Sequence, residues 1–212
     1  MRKSRPKPSR RSRLRGFLLL AAITGLLAAS LLALQYGHRL PSAKGGLHCE
    51  PGWLPEHKSD RWTCIVIHHS ADEDGGADKY DEIHRNEKGW DELGYHFVIG
   101  NGSQSGDGEV EIGPRWVKQK YGAHCKTNDN YYNNHGIGIC LVGNFNNHPP
   151  DLAQMQSLAR LVRFLCIEFK IPTSAIYTHR GVTGKTECPG KDFDLEQLKR
   201  MVAAEDAASN RK

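Results

Sequence analysis

Residues 152–169 carry Leu152, Met155, Leu158, Leu161, Val162, Leu165, Cys166 and Phe169 at helical spacing on one face. A helix this apolar on one side must bury that side against another element, so it dictates a layered fold. Asp151 and Gln154, just after Pro149-Pro150, give it a capping-box start. The partner surface is offered by short apolar runs of strand length. Residues 62–67 (WTCIVI) are rich in β-branched side chains and lead straight into His68-His69. Residues 95–100 (YHFVIG) and 135–145 (HGIGICLVGNF) are two more such runs, and 175–177 is a short fourth. Residues 109–112 return from the turn GNGSQSGDG as the second arm of a hairpin. A short helix is expected near 79–87, and a last amphipathic helix starts at Asp194 with Leu195, Leu198, Met201 and Val202. The interleaving predicts an α/β fold, a central mixed β-sheet flanked by helices, in a single domain over 60–205.

What precedes that domain has a different character. Residues 1–15 hold eight Lys/Arg and no Asp/Glu, and 17–34 form an 18-residue run without a charge. That run is at the lower end of what spans a bilayer as a helix. Its preceding basic flank sets an N-inside orientation. The expected organisation is a basic cytoplasmic tail (1–15), a transmembrane signal-anchor (16–36), a linker (37–59), the domain (60–205) and a tail (206–212). The domain then lies on the extracytoplasmic side of the cell membrane. A cleaved signal peptide is the alternative. The apolar run is long for one, and QYGHRLPSAKGG after it has no small-x-small cleavage site. Pro41, Gly45, Gly46, Pro51, Gly52 and Pro55 mark the linker, with Trp53 and Leu54 available to pack back. Outside the basic tail, 21 basic residues face 24 acidic ones and leave −3, so the body has no basic footprint for nucleic acid.

Chemistry concentrates in residues 178–190, THRGVTGKTECPG, where His179, Lys185 and Cys188 share a glycine-rich loop. Histidine and cysteine are zinc ligands, and a catalytic zinc takes three protein ligands with a fourth position left for water. Bound there, zinc lowers the pKa of water from about 15.7 to about 7. The third ligand is expected from His68 or His69. His68 alternates with Val66 and Cys64, and His69 with Ile67 and Ile65, so strand periodicity leaves both open. Of the six cysteines, Cys64, Cys140 and Cys166 lie in apolar runs and read as small buried hydrophobes. Cys49 and Cys125 remain as a pair that export permits to form a disulfide.

The segments IVIHHSA, WDELGYHFVIG, GAHC, GIGICLVGNF and HRGVTGKTECPGKDF follow one another across about residues 60–195. As an ordered set they resemble the motifs of the type-2 N-acetylmuramoyl-L-alanine amidases. That superfamily includes the peptidoglycan-recognition proteins and the amidase-type lysozymes of phages, and the phage pattern is the nearer. The resemblance implies a zinc amidohydrolase with a central mixed sheet and a glycopeptide groove. Its reaction is cleavage of the amide between N-acetylmuramic acid and L-alanine in peptidoglycan. By position, the metal ligands are His68, His179 and Cys188, the catalytic side chains are Tyr95 and Lys185, and His124, His96 and Asn144 line the groove. The implied cofactor is Zn2+, and the implied partners are peptidoglycan and, through the apolar run, a membrane. A non-catalytic recognition protein is the alternative, against which all of His68, His179, Cys188 and Tyr95 being present weighs. Two departures stand out. Cys140 occupies the place where one branch carries a glutamate base, and His179 and Cys188 are one residue further apart than in the phage enzymes.

Overall fold

The computed structural model describes residues 49–209, with side chains described through 204. The expected basic tail and signal-anchor, most of the expected linker, and residues 210–212 of the tail lie outside the described residues. Among the described residues, no helix is long and apolar enough to cross a membrane.

The chain runs β1 (Cys64–His69), α1 (Ala77–Asn86), β2 (Phe97–Ile99), β3 (Val110–Ile112), α2 (Pro114–Val117), α3 (Tyr131–His135), β4 (Gly136–Leu141), α4 (Leu152–Glu168), β5 (Ile176–Thr178), α5 (His179–Thr183) and α6 (Leu195–Ser209). The strands form one mixed sheet in the order β3-β2-β4-β1-β5. β4 is central; β1 lies beside it, parallel to β4 on one side and to the edge strand β5 on the other. β2 is parallel to β4 and antiparallel to β3, which completes the expected hairpin.

Successive strand residues point to opposite faces, and the two faces have different tasks. On one face Ile65, Ile67, Phe97, Ile99, Ile137 and Ile139 pack with Leu158, Leu161, Val162 and Leu165 of α4 and Leu198 and Val202 of α6. This is the main core. On the other face Val98 and Cys140 pack with Tyr80 of α1, Leu93 and Val142 in a smaller cluster. His68 is paired with Cys140 across β1 and β4 and shares that second face.

Helix α4 starts as its sequence indicates, with the Asp151 carboxylate accepting the Gln154 N–H at 2.7 Å. The reciprocal half of the capping box does not form. The Gln154 amide turns inward instead, where its Nε2 donates to the carbonyls of Ile99 at 3.3 Å and Val142 at 2.9 Å. Leu152, placed on the apolar face by its spacing, is 70% exposed, whereas Gln154 and Met155 shortly after it are buried.

Three further expectations are corrected, while Trp53 packs back onto the domain as expected and is a core residue: its ring lies 5.6 Å from that of Phe164, and its carbonyl accepts the Trp116 indole N–H at 3.0 Å. Leu54, beside it, is exposed. Cys49 and Cys125 do not pair; both are free thiols, Cys49 exposed and Cys125 fully buried. The short helices α2, α3 and α5 fall where the sequence reading had no helix, α5 within the loop expected at 178–190, since four or five residues are too few to show a period.

Candidate metal centre

The site is assembled where strand β1 runs out. β1 ends in His68-His69, and β5 pairs with it in register Ile67 to Thr178. One step further, that register brings His68 level with His179, the first residue of α5. Thr178 caps α5, its hydroxyl accepting the Gly181 N–H at 3.0 Å. The loop after α5 then folds back. The Arg180 N–H donates to the Cys188 carbonyl at 2.7 Å, and the His69 N–H donates to Cys188 Sγ at 3.3 Å. Cys188 Sγ comes to 3.6 Å from His68 Nδ1.

His68, His179 and Cys188 thereby offer two nitrogens and a sulfur, all within 4.8 Å of one another. Both imidazoles are held below the ordinary histidine range. Burial is the main cause for each, and the neighbouring His124, His179 and His69 add to it at His68. They are therefore neutral, as metal-ligating imidazoles must be. Burial pushes the Cys188 thiol up to about 12. A thiol so hard to ionise alone is deprotonated by a bound cation, whose charge reverses the local balance. A compact N, N, S donor set of two neutral imidazoles and a thiol fits zinc.

His69 takes no part in this set. Its Nδ1 accepts the Phe145 N–H at 3.3 Å, and its ring lies 5.9 Å from that of Phe145. Tyr95 stands beside the set, its ring 5.2 Å from that of His68. Burial, then the Cys140 and Cys188 thiols, push its phenol well above the ordinary tyrosine range, so the hydroxyl keeps its proton. Lys185 is exposed and lines a cleft of about 440 Å³ together with Trp90, His124, Lys126, Asn133 and His179. A second hollow of about 410 Å³, lined in part by Thr127, Asn128 and Asp129, shares Lys126, Thr183 and Lys185 with the first.

Two of the expected groove residues sit elsewhere. His96 is fully buried between backbone partners: its Nδ1 accepts the Gly138 N–H at 2.9 Å, and its Nε2 lies 3.0 Å from the Lys120 carbonyl. Trp62 packs edge-on against it at 4.8 Å. Asn144 serves a turn, its Oδ1 accepting the Asn146 N–H at 3.2 Å. His124 does line the cleft, and it also touches His68, with Nδ1 3.0 Å from His68 Nε2. Trp90, Lys126 and Asn133 were not singled out in the sequence. Trp90 lay unremarked within a quoted motif, and Lys126 and Asn133 flank a short, polar, aperiodic stretch, 127–132, that carries no pattern of its own.

Comparison with known proteins adds the following. Residues 58–191 match the family described as N-acetylmuramoyl-L-alanine amidase. The peptidoglycan-recognition protein SC2 of Drosophila melanogaster is 38% identical over 111 residues, which are 52% of this chain and 54% of that protein. This chain thus spans about half the length of that relative. The endolysin of Klebsiella phage KP32 is 35% identical over 152 residues, 66% of this chain and 87% of the endolysin. Among solved structures, the endolysin amidase LysCS from Clostridium intestinale superposes with a TM-score of 0.56 at 32% identity, covering 68% of this chain and 87% of LysCS.

Proposed function

The chain belongs to the N-acetylmuramoyl-L-alanine amidase family, and on that premise we propose that it is a zinc-dependent hydrolase of peptidoglycan. The bond cut is the amide between N-acetylmuramic acid and the first L-alanine of the stem peptide. The observation that carries this reading is the convergence of His68, His179 and Cys188 within 4.8 Å, with His179 lining the same cleft as Lys185. A protein that only recognises peptidoglycan has no chemical need for two neutral imidazoles and a thiol gathered there.

His68, His179 and Cys188 would hold the metal. When bound, zinc supplies a Lewis acid for the carbonyl and a hydroxide-like nucleophile at neutral pH. The protein's own groups do the remainder. The protonated Tyr95 hydroxyl is a donor for the charge that grows on the carbonyl oxygen as the amide carbon becomes tetrahedral. Lys185 brings a positive charge to the same cleft and attracts an anionic glycopeptide. Removing one donor of this kind costs about a hundred- to a thousandfold in rate. The proposed setting is extracytoplasmic, with residues 16–36 as a membrane anchor and 60–205 as the working domain.

The test is digestion of purified sacculi by the full-length chain, zinc-loaded or stripped with a chelator. The expected products are stem peptides with a free amino-terminal L-alanine, from the loaded protein only. Cys188→Ser should lose both bound zinc and turnover. Protein that takes up zinc and binds sacculi yet frees no such peptides would leave the recognition reading in possession.

A further inference from the structure

Behind the metal ligands lies a chain of hydrogen bonds that ends on the main chain. His124 Nε2 is 3.2 Å from the carbonyl oxygen of Gly136, at the start of β4. A carbonyl only accepts, so His124 carries a proton on Nε2. The His124 ring is buried, and a charge there would face no compensating anion among the groups that touch it, so the ring is neutral. A neutral imidazole has one N–H, which leaves Nδ1 of His124 as an acceptor. That acceptor lies 3.0 Å from His68 Nε2, which must therefore be the donor. The remaining nitrogen of His68, Nδ1, is then a bare lone pair, and it is the atom 3.6 Å from Cys188 Sγ.

We infer that His124 is a positioning residue: it relays the fixed polarity of the Gly136 carbonyl to His68, locking His68 in the Nε2–H tautomer with its Nδ1 lone pair aimed at the metal position before any metal arrives. The inference deepens the zinc reading and rests on it.

The surroundings of the ring are built to hold it. A Cβ at Gly138 would come within 2.4 Å of the His124 ring, and one at Gly122 within 2.3 Å, so only glycines leave the space it fills. The Asn133 side-chain oxygen accepts the backbone N–H groups of His124 and Cys125, both at 2.8 Å. The ring thus has a fixed backbone, a fitted slot and a partner on each nitrogen. Partners of this kind orient a ligating imidazole and set its tautomer, and their loss typically weakens metal binding about 10–100-fold.

The experiment reads the tautomer directly. Histidine is labelled with 15N in the full chain, zinc is removed, and ring nitrogen–proton correlations are recorded above about pH 8, where imidazoles are neutral. The expected result is His68 and His124 both as Nε2–H tautomers. In His124→Phe, which keeps a ring but no nitrogens, His68 should shift to a tautomer mixture, and the zinc Kd should rise roughly 10–100-fold. In His124→Gln, the amide can accept from His68 and donate to Gly136, so most of both properties should return. Finding His68 as the Nδ1–H tautomer in the unaltered protein overturns the inference. So does a His124→Phe protein with unchanged tautomer and unchanged zinc affinity. If His124→Phe fails to fold by circular dichroism, the unaltered protein and His124→Gln still decide. Unaltered protein that shows the expected tautomers but binds no zinc would defeat the metal reading instead, and the two failures are told apart without an activity assay.

Discussion

At the scale of single residues, the histidines divide by which atoms their rings meet. His96 and His84 each present Nδ1 to a backbone N–H, that of Gly138 at 2.9 Å and that of Gly94 at 3.0 Å. Protonating either ring sets a donor against a donor, and burial holds both at about 4. The unfolded imidazole titrates near 6.5. Between about pH 6.5 and 4 the unfolded chain therefore binds more protons than the folded one, so stability falls as pH falls through that window and is level above it. Each ring can contribute up to a few kcal/mol. Urea midpoints measured on metal-free protein from pH 7.5 to 4.5 should show this slope, and His96→Gln should flatten it by about one group's share. An unchanged slope in His96→Gln would remove His96 from the account. The same residue shows what a sequence can and cannot disclose. Alternation run back from β2, where Phe97 faces the main core and Val98 the site face, would put Tyr95 with Phe97 and His96 with Val98. The chain just before β2 does not follow it, because Tyr95 packs beside Val98 and Cys140 while His96 packs against Trp62. The choice between His68 and His69 had no guide in the residues either, and it took the register with β5 and the Cys188 loop to separate them. His124 was legible as a cleft residue through its motif, but its bond to His68 joins positions 56 residues apart and left no local trace.

Among the elements, α4 is both the most legible and the one that ties the sheet's ends together. Its seventeen residues repeat the apolar period often enough to be read directly. Strands of three residues, such as β2 and β5, are marked by their β-branched and aromatic side chains, whereas α2 and α3 are fixed by tertiary contacts and cannot be read in advance. What the period does not reveal is that Gln154, a polar residue in the first turn of α4, is 1% exposed. Its amide donates to the Val142 carbonyl just past β4 and adds a second donor to the Ile99 carbonyl at the end of β2, which already accepts the Val142 N–H at 2.9 Å. Gln154→Leu keeps the volume but takes the Gln154 donor from the buried Val142 carbonyl, so it should destabilise the fold by about 1–3 kcal/mol. Asp151→Ala, which removes the cap alone, should cost about 1 kcal/mol. Equilibrium urea unfolding of the two variants compares them directly. If Gln154→Leu proves neutral, the bonds to the strand ends are not what seats the helix.

For the molecule as a whole, charge distribution bears most on where the domain works. The eight basic residues of positions 1–15 precede a charge-free run, while the remainder of the chain sums to −3. A helix flanked this way inserts with its basic end inside, because cationic segments resist translocation. That is the physical basis for proposing residues 16–36 as an anchor. Trp53 in the core shortens the free connection, because the folded domain already claims residues upstream of position 60. Residues 37–48 are then the only stretch between the proposed anchor and the described part of the chain. The expected result is a chain that stays with membranes through an alkaline carbonate wash, keeps residues 16–36 at its mature amino terminus, and exposes its domain to protease added outside intact spheroplasts. A mature protein that begins downstream of Leu34 would establish the cleaved-signal alternative, in which nothing in the chain holds the domain at the membrane.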